Sequence, residues 1–269
     1  MIRSPLVSGI FYPSDGTMLK QQIDDLLTRA IAHAGYCNAV LAPHGSLTYS
    51  GAMAAAAWKA MEGSMPSLVI VVGPSHSGFD EGIFLPESSQ FAMPDFSVKV
   101  DMTLCEYLLN KISGLKRSDI PHLEEHSIEM QLPFLHAVFP GVPMLPVIVS
   151  GRLEPYADLL SEFFSEIRSS VAGTANIVIS SNLAMAEDEA VCDATSLSYL
   201  DAIIRRDYAA IQHMRAGSRS FCGSIVEEAF LRSFPELQAE VIMYGNSAGR
   251  RTSPEELIVG YAAVRFRKA

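Results

Sequence analysis

The run SLVIVVGPS, from Ser67 to Ser75, constrains this chain more than any other stretch. Five consecutive apolar residues, Leu68 to Val72, are stopped by Gly-Pro. A run that is apolar on both faces and too short for a helix suits a strand covered on both sides, as in a parallel sheet sandwiched by helices. NAVLAP, VPMLPVIVS and ANIVISS repeat the pattern, and GIFLP and FSVKVD read as shorter strands. Between them the apolar spacing changes to that of helices. Leu19, Ile23, Leu26, Leu27 and Ala30 predict an amphipathic helix over Thr17 to Ala34, after the turn signal PSDG. SGAMAAAAWKAM, Met102 to Ile112, PYADLLSEFFSEIRSS, SLSYLDAIIRRD and IVEEAFLRSF read as further helices, and SIEMQLPFLHAVF as a helix interrupted by Pro133. AEVIMYG and LIVGYAAVRFR close the chain as a pair of strands. The alternation predicts an α/β fold: a single domain over residues 1–269, with a largely parallel or mixed central sheet flanked by helices.

Composition narrows the function. Apolar residues make up 49% of the 269 positions and charged residues 19%, enough for a sizeable core. A net charge of −10 lacks the basic footprint of a nucleic-acid binder, so no nucleic-acid partner is expected. No apolar run is long enough to span a bilayer, and MIRSPLVSGIFYPSDG has no signal-peptide h-region; a cytoplasmic location and reduced thiols are expected. Cys37, Cys105 and Cys192 read as core hydrophobes or surface thiols.

In an open α/β sheet, ligands bind beyond the carboxyl ends of the strands. His44 follows NAVLAP, His76 follows SLVIVVGPS, and Asn182 follows NIVISS. A lone histidine at a strand end is usually structural. Two at equivalent ends, each beside a Gly/Ser/Pro turn, point to a shared site, and imidazole is the commonest ligand for Fe, Zn or Cu. Cys222 precedes the helix GSIVEEAFL, where the positive end of the helix dipole should favour a thiolate. His122, Glu125 and His126 fit the H-x-x-E-H pattern of a zinc peptidase. That pattern works only on a continuous helix. Pro121 precedes it, and Ser127 reads as the N-cap of the next helix with Glu129 in its first turn, so His122 to His126 read as a loop. From that loop His126 is a candidate for proton transfer at the strand-end site. GPSHSG lacks the spacing of a nucleophile elbow.

SGIFYP, APHGSLTYSG, VVGPSHSG, EEHSIEMQLPFL, SSNL, FCGS and YGNSAG…VGYAAV, in that order from about Ser8 to Val264, resemble the Memo family, whose prokaryotic members are called AmmeMemoRadiSam system protein B. The resemblance implies a fold like that of class III extradiol dioxygenases, which are non-heme Fe(II) oxidoreductases. Carried over by motif, it implies His44, His76 and Cys222 as ligands of a redox metal, Fe(II) foremost, with Cu or Zn as alternatives. It further implies a small molecule or peptide in the pocket, and a radical-SAM protein and an AMMECR1-like protein as partners. Its members are linked to redox chemistry, metal homeostasis and, in animals, phosphotyrosine-peptide binding. The chain departs from the family pattern at SSNLAM, where Asn182 replaces an aspartate and Met185 a histidine. Asn182 keeps the shape of the acid but is neither a base nor an anionic ligand. Met185 offers only a soft thioether suited to Cu(I), or fills space.

Overall fold

The computed structural model describes residues 1–31, 35–77, 81–151, 154–171, 173–217, 221–253 and 255–268. The chain runs β1 (Ile2–Arg3), α1 (Gly16–Arg29), β2 (Ala39–Ala42), α2 (Leu47–Ala60), β3 (Leu68–Pro74), β4 (Gly82–Leu85), β5 (Gln90–Ala92), β6 (Ser97–Lys99), α3 (Met102–Lys111), β7 (Leu115–Arg117) and α4 (Ile120–Leu123). A 3-10 turn (Glu129–Gln131) leads into α5 (Leu132–Val138), then β8 (Met144–Ser150), α6 (Glu154–Ser170), β9 (Ala175–Ser180) and β10 (Met185–Ala186). Helices α7 (Glu189–Arg205), α8 (Tyr208–Gly217) and α9 (Ser224–Ser233) precede β11 (Leu237–Asn246) and β12 (Ile258–Lys268).

Nine strands form one sheet in the order β10-β12-β2-β9-β3-β8-β4-β7, with β11 also paired to β12. Its centre, β2-β9-β3-β8, is parallel. The flanks are mixed: β4 runs antiparallel to β8, and β10, β11 and β2 all run antiparallel to β12. The expected α/β architecture is present: the central parallel strands are those with the apolar runs, and a short parallel pair, β4-β7, closes one edge. Val69 to Val72 are completely buried, and each contributes roughly 1.5–3 kcal/mol by leaving water. A separate three-stranded sheet, β1-β5-β6, lies outside the main one.

Helices flank the sheet in two groups. α2 packs on β2, β11 and β12 together with α1 and α5, whereas α6 packs on α9, which touches α8. The alanines at 54–57 in α2 are buried; small side chains let this helix approach the sheet closely. α1 starts where the Asp15 carboxylate accepts from the Met18 N–H. It ends at Arg29 rather than reaching position 34; residues 32–34 of the expected helix lie outside the described residues. Pro133 does not interrupt a helix. It sits in the first turn of α5, where its missing N–H costs nothing. Among the described residues no helix is long and apolar enough to cross a membrane.

Strand order positions the site. β9 lies between β2 and β3, with Ala42 opposite Ser180 and Val72 opposite Ile179. Residues following these three neighbouring strands, far apart in sequence, therefore emerge side by side. Strands are spaced about 4.8 Å, so imidazoles from β2 and β3 span the central strand and meet.

Candidate metal centre

His44 is completely buried just beyond β2. Its ring centroid lies 5.2 Å from that of His76 and 5.6 Å from that of His126, and the His76 and His126 rings stack at 5.0 Å. One ring nitrogen from each histidine lies within 4.8 Å of the others. The Cys222 Sγ is 3.5 Å from His44 Nε2. Asn182 borders the group: its Oδ1 accepts from the His44 N–H at 3.0 Å, and its own N–H donates to the Cys222 Sγ at 3.3 Å. His44, His76, His126, Asn182 and Cys222 are thus brought together. Met185 lies apart from these bonds, on β10 opposite Val259, with its side chain exposed.

The segment from His122 to Gln131 ties the strand ends to one another. Pro43 and Pro74 end their strands with carbonyls in need of donors. Gln131 Nε2 donates to the Pro43 oxygen at 3.0 Å, and Ser127 Oγ donates to the Pro74 oxygen at 2.8 Å. Gln131 Oε1 accepts from the buried Trp58 indole. Ser127 is therefore a strut across β3 and not the expected N-cap; the 3-10 turn begins at Glu129, and its N-cap position is Ile128, without a side-chain cap. Gly73 makes this close approach feasible, because a Cβ there would lie 2.6 Å from Ser127 Oγ.

Hydrogen-bond accounting fixes the imidazole tautomers. Ser180 Oγ gives its only proton to the Ser127 carbonyl at 2.7 Å. It accepts from Gln131 Nε2 at 3.0 Å, so its contact with His44 Nδ1 at 2.9 Å requires that Nδ1 be the donor. The His44 Nε2 lone pair is then free and faces Cys222. His76 Nδ1 lies 3.0 Å from both oxygens of Glu125, a buried carboxylate that also accepts from the N–H groups of His76, His126 and Ser127. Nδ1 again carries a proton, and Nε2 is the nitrogen turned to the pocket. A carboxylate behind a histidine is the usual outer support of a metal ligand.

The protonation tendencies follow the same geometry. Burial holds the His44 imidazole well below its ordinary value, and the neighbouring His76 and His126 lower it further. Burial would lower His76 too, but its bonds with Cys222 and Glu125 and the charge of Glu125 outweigh this and raise it to about 10. Burial works to raise Glu125, yet the His76 bond and the surrounding imidazoles bring it down to about 2. His126 is lowered, chiefly by burial. The arrangement thus offers one imidazole–carboxylate pair and two neutral imidazoles beside a thiol, a donor set suited to Fe, Cu or Zn.

His122 does not join them. It lies on the one-turn helix α4, rather than in the loop expected for it, and its Nε2 is bonded to the Phe84 carbonyl. His126 lies outside any helix, so the H-x-x-E-H spacing forms no peptidase site. Three contributors were not singled out from the sequence: Ser180, Gln131, and Glu125 as the partner of His76. The signal for two of them was available, since Glu125 and Gln131 are polar residues flanking or interrupting an apolar run and end up buried.

Comparison with known proteins finds relatives along nearly the whole chain. A curated relative from Nitrosopumilus maritimus, described as a MEMO1 family protein, is 24% identical over 277 residues, covering 99% of this chain and 100% of its own. Another from Thermotoga neapolitana, with the same description, is 31% identical over 238 residues, covering 83% of this chain and 85% of its own. The crystal structure of an uncharacterized protein, JW3007 from Escherichia coli K12, superposes with a TM-score of 0.46 and 11% identity over 74% of this chain and 86% of that one, too distant to argue from. The family profile described as Memo-like protein matches residues 3–265, and the chain belongs to the Memo family.

Proposed function

We propose that this protein binds a metal ion at the strand-end pocket, redox-active Fe(II) foremost, with Cu, or redox-inert Zn, as alternatives. In this reading His44, His76 and Cys222 are the ligands, His126 is the neighbouring proton-transfer group, and the site performs dioxygenase-like oxidation of a small molecule. The carrying observation is that Ser180 and Glu125 hold the Nδ1 protons of His44 and His76, so that both rings turn Nε2 to the pocket beside the Cys222 thiol; a metal ion would take the place of the remaining proton on His76. A bound Fe or Cu would supply the electron transfer that no side chain provides alone. The chain's own residues would do the rest. Glu125 orients His76, Ser180 orients His44, and the neutral His126 imidazole takes up a proton from a bound substrate. Free thiols at all four cysteines suit a reducing, cytoplasmic setting.

One observation favours a second reading. Asn182 occupies the position beside His44 where an acid would add a charge, and its amide is spent on the His44 N–H. A protein that holds a metal or ligand without turnover, acting through radical-SAM and AMMECR1-like partners, would tolerate that change.

The test is anaerobic reconstitution followed by metal analysis of wild type, Cys222→Ala, His76→Ala and His126→Ala. Near-stoichiometric Fe or Cu, lost in the first two variants and retained in the third, is the expected result. Metal content unchanged in Cys222→Ala refutes the ligand set. Substrate-dependent oxygen consumption that vanishes in His76→Ala decides for catalysis over the second reading.

A further inference from the structure

Behind Cys222 lies a buried carboxylate that the metal site does not use. Glu227 on α9 is 1% exposed. Its Oε2 accepts from the Tyr199 hydroxyl at 2.5 Å, and its Oε1 has no hydrogen-bond partner. No cation pairs with it among the described residues; nearby Arg215 is bonded to Glu228. Oε1 faces Ser181 and Gly223, where a Cβ on the glycine would lie 2.6 Å from Ser181 Oγ and 3.3 Å from Oε1. Ser181 Oγ spends its one proton on the Asn182 carbonyl at 3.2 Å and accepts from the Gly223 N–H at 3.1 Å. With its proton on that carbonyl, Ser181 Oγ keeps a lone pair on the Glu227 side. An ionised Glu227 would leave a bare buried oxygen there, whereas a protonated one has an acceptor at hand. Burial raises this carboxyl above its ordinary value and outweighs the contacts with Ser181 and Tyr199 and the nearby Arg215 charge, in line with the geometry.

The surrounding bonds converge on the residue before α9. Phe221 has a left-handed φ of 61°, unusual for a bulky side chain. Its buried ring stacks on Tyr199 at 4.0 Å. Cys222 follows, with its Sγ facing Asn182 N–H and His44 Nε2. Tyr199 thus fixes the near side of a strained turn, and Ser181 fixes the far side at Gly223.

We propose that Glu227, as a neutral acid donating to Ser181 and accepting from Tyr199, is the positioning residue that holds the Phe221–Gly223 turn so that the Cys222 thiol faces His44. The inference goes beyond the metal-site reading and rests on it only for one of two readouts. The first is Co(II) titration under anaerobic conditions, following the thiolate-to-cobalt charge-transfer absorption separately from the ligand-field bands. Wild type and Glu227→Gln, whose amide still donates and accepts, should both show the thiolate band. Glu227→Ala and Ser181→Ala should bind Co(II) at least tenfold more weakly and lose that band while keeping the ligand-field bands of imidazole coordination. A general loss of stability would not remove one band selectively. The second readout needs no metal: the iodoacetamide alkylation rate of Cys222, the one thiol not buried. Glu227→Gln should match wild type within twofold, and Glu227→Ala and Ser181→Ala should depart from it by fivefold or more. A full thiolate band in Glu227→Ala, or equal alkylation rates in all four proteins, overturns the proposal. If wild type takes up no Co(II), the metal reading falls, and the alkylation rates alone decide this one.

Discussion

The two sides of the segment from His122 to Gln131 do opposite things with similar chemistry. On one side Glu129, fully buried, accepts from Arg3 Nη1, the Leu6 and Val7 N–H groups and the Tyr12 hydroxyl. Arg3, equally buried, also donates to the carbonyls of His122 and Glu125. On the other side Glu125 accepts from three backbone N–H groups and the His76 ring. Both carboxylates are saturated. The difference is the cation. A guanidinium is permanently charged and donates only, so the Arg3–Glu129 pair is closed to chemistry and anchors the N-terminal strand. An imidazole has a second nitrogen, so the charge of Glu125 is passed on to a ring that still faces the pocket. One stretch of ten residues thus carries a structural clamp and a support for a pocket imidazole back to back.

Breaking the clamp should give the largest effect. Glu129→Ala leaves the Arg3 guanidinium buried without a counter-charge, and a loss of about 3–5 kcal/mol is expected, measured by equilibrium urea denaturation. A loss under about 1 kcal/mol would mean that the pair is not closed and that water reaches it.

His122 tests the same side by pH. Burial pushes its imidazole down to about 4 from an ordinary 6.5, against the pull of its bond to the Phe84 carbonyl. Between those values the unfolded chain binds a proton that the folded chain refuses. Stability therefore falls as pH drops from 6.5 to 4, by up to about 3 kcal/mol from this residue. His122→Leu removes that term. The stability of the variant relative to wild type should rise by about this amount between pH 7 and pH 4, and its metal content should equal that of wild type. Metal loss in His122→Leu would blur the division between the two sides.

Much of this division is hidden in the sequence. The apolar runs at Leu68 to Val72 and Ile177 to Ile179 revealed the parallel core because burial on both faces leaves a local signature. The strand-end rule then placed His44, His76 and Asn182, and the turn glycine beside Cys222 marked the helix start. Strand order was not legible: nothing local says that β9 inserts between β2 and β3, and without that the contacts of Ser180 with His44 and Gln131 have no visible cause. The short elements α4, β1 and β10 have too few residues to show a period. The H-x-x-E-H spacing was rightly set aside, since it presumes a continuous helix and the helix ends at Leu123, before Glu125 is reached.

On the pocket side, Glu125→Gln sharpens the comparison. The amide keeps the shape of the side chain, but its nitrogen cannot accept and its neutral oxygen no longer supports the His76 imidazole. Affinity for Fe(II) or Zn(II) should fall about 10- to 100-fold, the usual cost of losing an outer-shell partner, with Tm changed far less than in Glu129→Ala. Isothermal titration with Zn(II) gives the first number and a thermal melt the second. If the order of the two effects is reversed, Glu125 is the clamp and Glu129 is not.

The smallest effect is expected from Asn182→Asp, which restores to SSNL the charge that the pattern of related motifs carries. The Asp oxygen accepts from the His44 N–H as the Asn182 amide oxygen does, and the backbone bond to the Cys222 Sγ is untouched. Stability should move by no more than about 0.5 kcal/mol, as for a swap that keeps the shape and the bond at a half-buried position. The added anion would lie next to a buried, neutral imidazole and the proposed metal site, so metal affinity should rise by about three- to tenfold, in the range of a partly screened charge interaction of about 1 kcal/mol. Oxygen consumption with candidate substrates separates the two functional readings at the same time. Turnover that appears only in Asn182→Asp would mean that the wild-type pocket binds without catalysing. Turnover already present in wild type would show that His126 supplies the acid–base chemistry that position 182 no longer can.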